Sequence, residues 1–323
     1  MLKNMKLGAK LGLGFGLLIA IACALGGLAV YNMNMVETKS GRLTNEYVPE
    51  VDIANDLERS SLLTMYAMRG YSLSENPKYL EAGEKNLADV YSHLEAAKAL
   101  AQQYPGLTQL REDADKAEAQ VRKYDSLADQ TEDLIQAMEA GRANMDAAAG
   151  NYMKNCAAYL ESQNESMRRE IATGATQAQL DERLRKITWI NDIIDIGNDT
   201  RVRNFKSQAM REPEVMRQAM ENFPRMTELF DKLRAVTRLE EDIRAIAATR
   251  QAAENYQAAM QNYLDNFLKL RDVNAQRGTV ADGVLEAAQG TSTAGMANTK
   301  RIANEAMDAL GSASSVMIGG LIG

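Results

Sequence analysis

A chain of 323 residues with a formal charge of −7 lacks the basic stripe by which nucleic-acid binders neutralise phosphates, which argues against that partner. Helix formers dominate the composition, aromatics make up 6% and proline occurs five times, so sheet is disfavoured and an all-α protein is predicted. Cys23 and Cys156 are far apart, the first inside an apolar run, and suggest neither a disulfide framework nor a thiolate metal site.

No charge occurs from Leu11 to Val36, and Leu11–Val30 supplies the about 20 apolar residues a bilayer-spanning helix needs. Lys3, Lys6 and Lys10 precede this stretch and Glu37 follows it. The positive-inside bias then leaves residues 1–10 in the cytoplasm, makes 11–30 a transmembrane helix and puts everything after Tyr31 outside. A cleaved signal peptide is the competing reading, with Ala22-Cys23-Ala24 as a loose cleavage site. The apolar run continues to Val30, which a spanning helix requires and a leader does not.

Turn residues divide the exterior segment into six predicted helices. The first runs from about Tyr31 to Leu73, with Pro49 as a kink or break, and stops at Ser74-Glu75-Asn76-Pro77. The second stops at Tyr104-Pro105-Gly106, and the third continues from about Leu107 to Ala172. After Thr173-Gly174-Ala175-Thr176 the fourth runs from about Ala178 to Met210. The fifth begins at Glu212-Pro213 and is bent by Pro224. Thr237-Arg238-Leu239-Glu240 reads as a capping box that opens the sixth, which continues to about Ala309. The final stretch, 311–323, is apolar but short of a bilayer and reads as the start of a second transmembrane helix.

At about 1.5 Å of rise per residue the sixth helix is about as long as the first and fourth laid end to end. The expected architecture is therefore an elongated stack of two four-helix bundles sharing long helices. The extracytoplasmic domain spans 31–310, with a membrane-proximal bundle of approximately 31–140 plus 262–310 and a distal one of approximately 141–261.

Arginines interrupt three apolar stripes: Asn55, Arg59, Leu62, Tyr66, Arg69, Leu73; Leu184, Ile187, Asn191, Ile194, Asn198, Arg201, Phe205; and Leu239, Ile243, Ile246, Arg250, Ala253, Gln257, Met260, Leu264, Phe267, Arg271. A guanidinium facing a bundle interior costs several kcal/mol unless paired. Its planar fork matches a carboxylate, and tyrosine or asparagine beside it can fix the remaining ligand atoms. Arg59, Tyr66, Arg69, Tyr124 and Arg271 form the predicted proximal ligand site. Tyr159, Trp189, Asn191 and Arg250 form the distal one, and Arg201, lower in that bundle, belongs to a second distal constellation or to none. Pairing of each arginine with an Asp or Glu is the alternative for every position. No catalytic residue, metal ligand or cofactor is predicted: the sequence has no glycine-rich phosphate loop after a strand, no nucleophile–base pair and no HExxH-type helix.

The layout resembles methyl-accepting chemotaxis proteins. Asn45-Glu-Tyr-Val-Pro-Glu-Val51, Leu57-Glu-Arg-Ser60 and Met68-Arg-Gly-Tyr71 are similar to the first helix of their helical bimodular sensor domain. Trp189 to Met210 and Val236-Thr-Arg-Leu-Glu-Glu-Asp-Ile243 are similar to its distal module. The resemblance implies a homodimer in the bacterial inner membrane, a periplasmic sensor for a small organic acid, and a cytoplasmic signalling module beyond this chain. A sensor histidine kinase, a receptor for a periplasmic binding protein, and a membrane-tethered structural coiled coil are the alternatives.

Overall fold

The computed structural model describes residues 6–322, so Lys3 and Gly323 lie outside the described residues. All regular structure in it is helical: α1 (Leu7–Arg42), a π segment (Leu43–Tyr47), α2 (Val48–Ser74), α3 (Pro77–Gln103), α4 (Thr108–Ala172), α5 (Gln177–Met210), α6 (Pro213–Met220), α7 (Asn222–Val236) and α8 (Glu240–Ile322).

The turn residues act as their chemistry dictates. Glu75 takes a left-handed conformation (φ 57°), Asn76 Oδ1 accepts the Lys78 N–H at 3.0 Å, and Pro77 opens α3 where an N–H would be unsatisfied anyway. Gly174, at φ 74°, closes α4, and the Gln179 side chain accepts the Thr176 N–H at 2.9 Å to start α5.

Three local expectations are corrected. Pro49 does not break its helix. It lacks the N–H that would bond one turn back, and the chain absorbs the defect by widening just upstream, the Val48 N–H reaching the Leu43 carbonyl. Pro224 breaks rather than bends the fifth helix: α6 ends at Met220, the residue whose carbonyl a proline at 224 cannot satisfy. Thr237 is no capping residue, because its buried hydroxyl donates at 2.6 Å to the Leu233 carbonyl, and α8 begins at Glu240.

The chain forms two compact units, one of residues up to Ser126 with those from Arg277 onward, the other of Leu127–Gln276. In the first, α2, α3, the early part of α4 and the late part of α8 surround a core that includes Leu57, Met68, Val90, Leu94, Val121, Tyr124 and Val284. In the second, α5, α6, α7, the later part of α4 and the early part of α8 enclose Met138, Tyr152, Ile190, Ile193, Phe230 and Met260. α1 buries none of its residues and exposes Leu11, Leu13, Phe15, Leu17, Leu18 and Ile19. It is the helix among the described residues that is long and apolar enough to cross a membrane.

The buried seams follow a strict alternation of four and three; on α2 and α5 they run in another phase from the predicted stripes, whereas on α8 the predicted Ile246, Ala253, Met260 and Leu264 are buried. On α2 the buried positions are Glu50, Ala54, Leu57, Ser61, Thr64, Met68 and Tyr71; on α5 they are Lys186, Ile190, Ile193, Gly197, Thr200, Asn204 and Ser207. On α8 the seam passes through Ile246, Thr249, Ala253, Tyr256, Met260 and Tyr263 and continues to Arg277, Ala281 and Val284. On α5 every predicted position from Ile187 on is one residue past a buried one, a rotation of about 100°, and on α2 Asn55, Leu62 and Arg69 are displaced likewise. The reason lies in the side chains. Serine and threonine on a helix can return their proton to the carbonyl four residues back, as Ser61 does to Leu57 at 2.7 Å, Thr64 to Ser60 at 2.8 Å, Thr200 to Ile196 at 2.8 Å and Thr249 to Ala245 at 2.7 Å. A hydroxyl satisfied in this way is cheap to bury, so the core face includes small polar residues that hydropathy alone does not select.

Candidate functional site

The change of phase redistributes the predicted site residues. Arg59 is exposed and pairs with Asp56 on its own helix at 2.8 Å, and Tyr66, 69% exposed, meets Tyr79 edge to face at 6.3 Å. Arg69 is exposed, as is Arg271, which belongs to the second unit while the other proximal candidates belong to the first. Arg250 lies at the edge of its seam and pairs with Asp231 at 2.6 Å and Glu254 at 3.3 Å, the alternative reading of a seam arginine. Asn191 is exposed and spends its amide on the Ile187 carbonyl at 2.8 Å, and Trp189 is half-buried. The inference that an interior guanidinium demands an anion therefore does not apply to Arg59, Arg69, Arg250 or Arg271.

The interior arginine is one that the stripes omit, and it has protein partners. Arg277 lies on the α8 seam in the first unit and is 5% exposed. Its Nη2 donates to the Met68 carbonyl at 3.2 Å and to Ser72 Oγ at 3.1 Å, both on α2, and its guanidinium carbon stands 5.8 Å from the centre of the Tyr124 ring on α4. Burial lowers its pKa, the Tyr124 phenol opposes that shift and the Arg69 charge adds to it. Burial raises the pKa of Tyr124, against the charges of Arg277 and Arg69. Two arginines thus act on one buried phenol and repel each other, an arrangement that a bound anion relieves. Extending the correct seam along α8 would have found Arg277 from the sequence.

Next to it, Tyr124 lines a small apolar cavity with Thr64, Val90, Val121, Ala281 and Val284. It has room for water and none for an organic ligand.

The second unit holds two polar clusters. Half-buried Arg201 has a shielded Nε without a hydrogen-bond partner, and its charge acts on the buried phenol of Tyr256. That hydroxyl accepts the Asn204 amide at 3.1 Å, and Tyr256 packs edge to face on Phe223 at 5.9 Å. Further along α4, Nε2 of Gln163 is buried without a partner, the buried Tyr159 hydroxyl meets Thr237, and the Gln163 carbonyl oxygen accepts from Arg183, which also grips Glu170 at 2.7 and 3.2 Å. Burial pushes the Tyr159 phenol up to about 12. The predicted distal constellation is thus not one contact network: Tyr159 is in the electrostatic field of Arg183 and Asp242, and Arg201 in that of Tyr256. Among the described residues no group of three or more His, Cys, Asp or Glu is placed to hold a metal ion.

Comparison with known families places residues 4–186 in a match to the four helix bundle sensory module for signal transduction. No curated protein matches the chain.

Proposed function

The chain belongs to the family of four-helix-bundle sensory modules for signal transduction, and on that premise we propose that it is the extracytoplasmic sensor of a bacterial chemoreceptor that recognises a small carboxylate. The observation that carries the ligand class is the convergence of Arg69 and buried Arg277 on Tyr124 in the first unit. A carboxylate there offsets the charges of Arg69 and Arg277, takes a hydrogen bond from Tyr124, and removes the repulsion between the two arginines.

The reading includes a transmission step. The cavity that Tyr124 lines has room only for water, so in this reading ligand binds preferentially to a second packing in which α2 and α8 are parted at this level. A ligand shifts an equilibrium only by its differential affinity for two states, and this geometry supplies the difference. α8 continues from Arg277 to Ile322 without interruption, and in this reading its last turns enter the membrane as the second span. The helical bimodular arrangement, with the second unit as the distal module, is part of the same proposal. It is supported by the motif resemblances and by long α4 and α8, each of which contributes residues to both units.

A second copy of the chain is the proposed partner. On α2 the stripe predicted to be buried is instead exposed, with Leu62, Tyr66 and Leu73 on the surface. Tethering by α1 holds copies in one orientation in one plane, where such a stripe can meet itself about a two-fold axis.

Thermal denaturation of the full chain in detergent, against a panel of mono- and dicarboxylates, amino acids and amines, tests the ligand reading. A carboxylate at one hundred times its Kd should stabilise by about 2.7 kcal/mol. The gain should disappear in Arg277→Ala and shrink in Arg69→Ala, whose side chain is exposed and whose loss leaves the fold intact. Stabilisation by amines alone, or by carboxylates equally in wild type and both variants, would overturn the assignment.

A further inference from the structure

Glu50 is 1% exposed on α2, just after the π segment, and its Oε2 has no hydrogen-bond partner. The fold is shaped around it. On the facing stretch of α8 a Cβ at Gly295 would stand 3.1 Å from Glu50 Oε2 and 2.7 Å from Val51 Cγ2, so glycine leaves the space that the carboxyl fills. One helical turn further along α8, Thr299 Oγ1 is also buried without a partner.

The charged groups around this seam do not neutralise Glu50. Glu46, one turn back on its own side, is engaged by Arg42 at 3.3 Å. From α8 come Arg301 and Glu305, paired at 2.8 Å, with Lys39 of α1 also on Glu305 at 2.7 Å. From α4 comes buried Asp113, which accepts the Thr291 hydroxyl at 3.1 Å and the Gln109 amide at 2.7 Å. α3 presents Ala97 and Ala101 to this part of the core, and its Lys98 is paired with Glu118 and Asp115. Among the described residues no cation lies within ion-pair distance of Glu50. An ionised carboxylate here would be buried with an unmet acceptor, whereas the neutral acid carries a proton to donate in a seam where the Thr299 oxygen lacks a partner.

We propose that Glu50 is a proton-sensing site, whose protonation closes the contact between α2 and α8 and whose ionisation loosens it, giving the module a response to external pH that requires no ligand. Burial, reinforced by the Glu46 charge, raises its pKa from 4.5 to about 7. The sign follows by linkage. A carboxyl whose folded pKa is raised stabilises the packed state fully below 4.5, and that stabilisation is lost as pH rises through about 7. Mild acidification and neutrality therefore favour different packings of the helix that continues toward Ile322.

The test uses the full chain in detergent with no ligand present, so its outcome is independent of the carboxylate reading. Between the two pKa values the wild-type Tm should fall as pH rises, and Glu50→Gln, neutral throughout, should hold its Tm flat across that interval. Identical profiles for wild type and Glu50→Gln would overturn the proposal. Infrared difference spectroscopy on the wild type gives a second readout: a protonated-carboxyl C=O band should titrate near neutral pH. Its absence at mildly acidic pH, when exposed carboxylates are ionised, would overturn the proposal even if the variant failed to fold.

Discussion

At the scale of single residues, close approach rather than charge decides where substitution is tolerated. A Cβ on Gly197 would stand 2.4 Å from the Tyr152 ring, which cannot retreat, because its hydroxyl donates to the Ile193 carbonyl at 2.6 Å and touches Met226 Sδ at 3.6 Å. Gly197→Ala gains about 1 kcal/mol of helix propensity and incurs about 1–3 kcal/mol of overpacking, so net destabilisation is expected. Gly150, on the exposed side of α4, has nothing within 4 Å of a built Cβ, and Gly150→Ala should stabilise by up to about 1 kcal/mol. Chemical denaturation of the pair in detergent checks both signs. Opposite signs would confirm that α5 meets α4 through Gly197, and equal shifts would remove that contact.

At the scale of helices, the sequence was legible where punctuation is chemical and misleading where it is rotational. The ends of α2, α3, α4 and α5 fall within a few residues of the predicted turns because asparagine, proline and glycine act locally there. The facing of each helix depends on which of two adjacent stripes enters the core, and that choice is tertiary. Both stripes on α2 are apolar enough: Leu62, Tyr66 and Leu73 on one, Leu57, Met68 and Tyr71 on the other. The deciding residues, Ser61, Thr64 and Ala54, look indifferent until their backbone bonds are counted. For this reason the predicted Arg59 and Arg69 lie on the surface, while the buried Arg277 and Glu50 were passed over. Cysteine accessibility tests the phase directly. Ser61→Cys and Asn204→Cys should resist a maleimide by at least about tenfold relative to Leu62→Cys and Phe205→Cys, since labelling must await local opening. Equal rates within each pair would restore the predicted phase.

At the scale of the whole molecule, membrane placement and self-association carry separate predictions. If Leu11–Val30 spans the bilayer, a cysteine placed at the exposed Thr173 should react with a membrane-impermeant thiol reagent in intact spheroplasts. Protection there, with reaction only after lysis, would reverse the orientation. If a second copy covers the α2 stripe, Tyr66→Cys should form an intermolecular disulfide in membranes, and Leu62→Glu should suppress it. The seams themselves carry one more consequence. Around Ala54, Ser61, Thr64, Ala281, Ala288, Thr291 and Gly295 the meeting surfaces of α2 and α8 have shallow relief, so that few side chains apart from Leu57, Met68 and Arg277 would have to disengage before one rod turned or slid past the other. Low teeth make a gear that slips under a small torque, so displacements of an ångström or so should interconvert quickly and at little energetic expense.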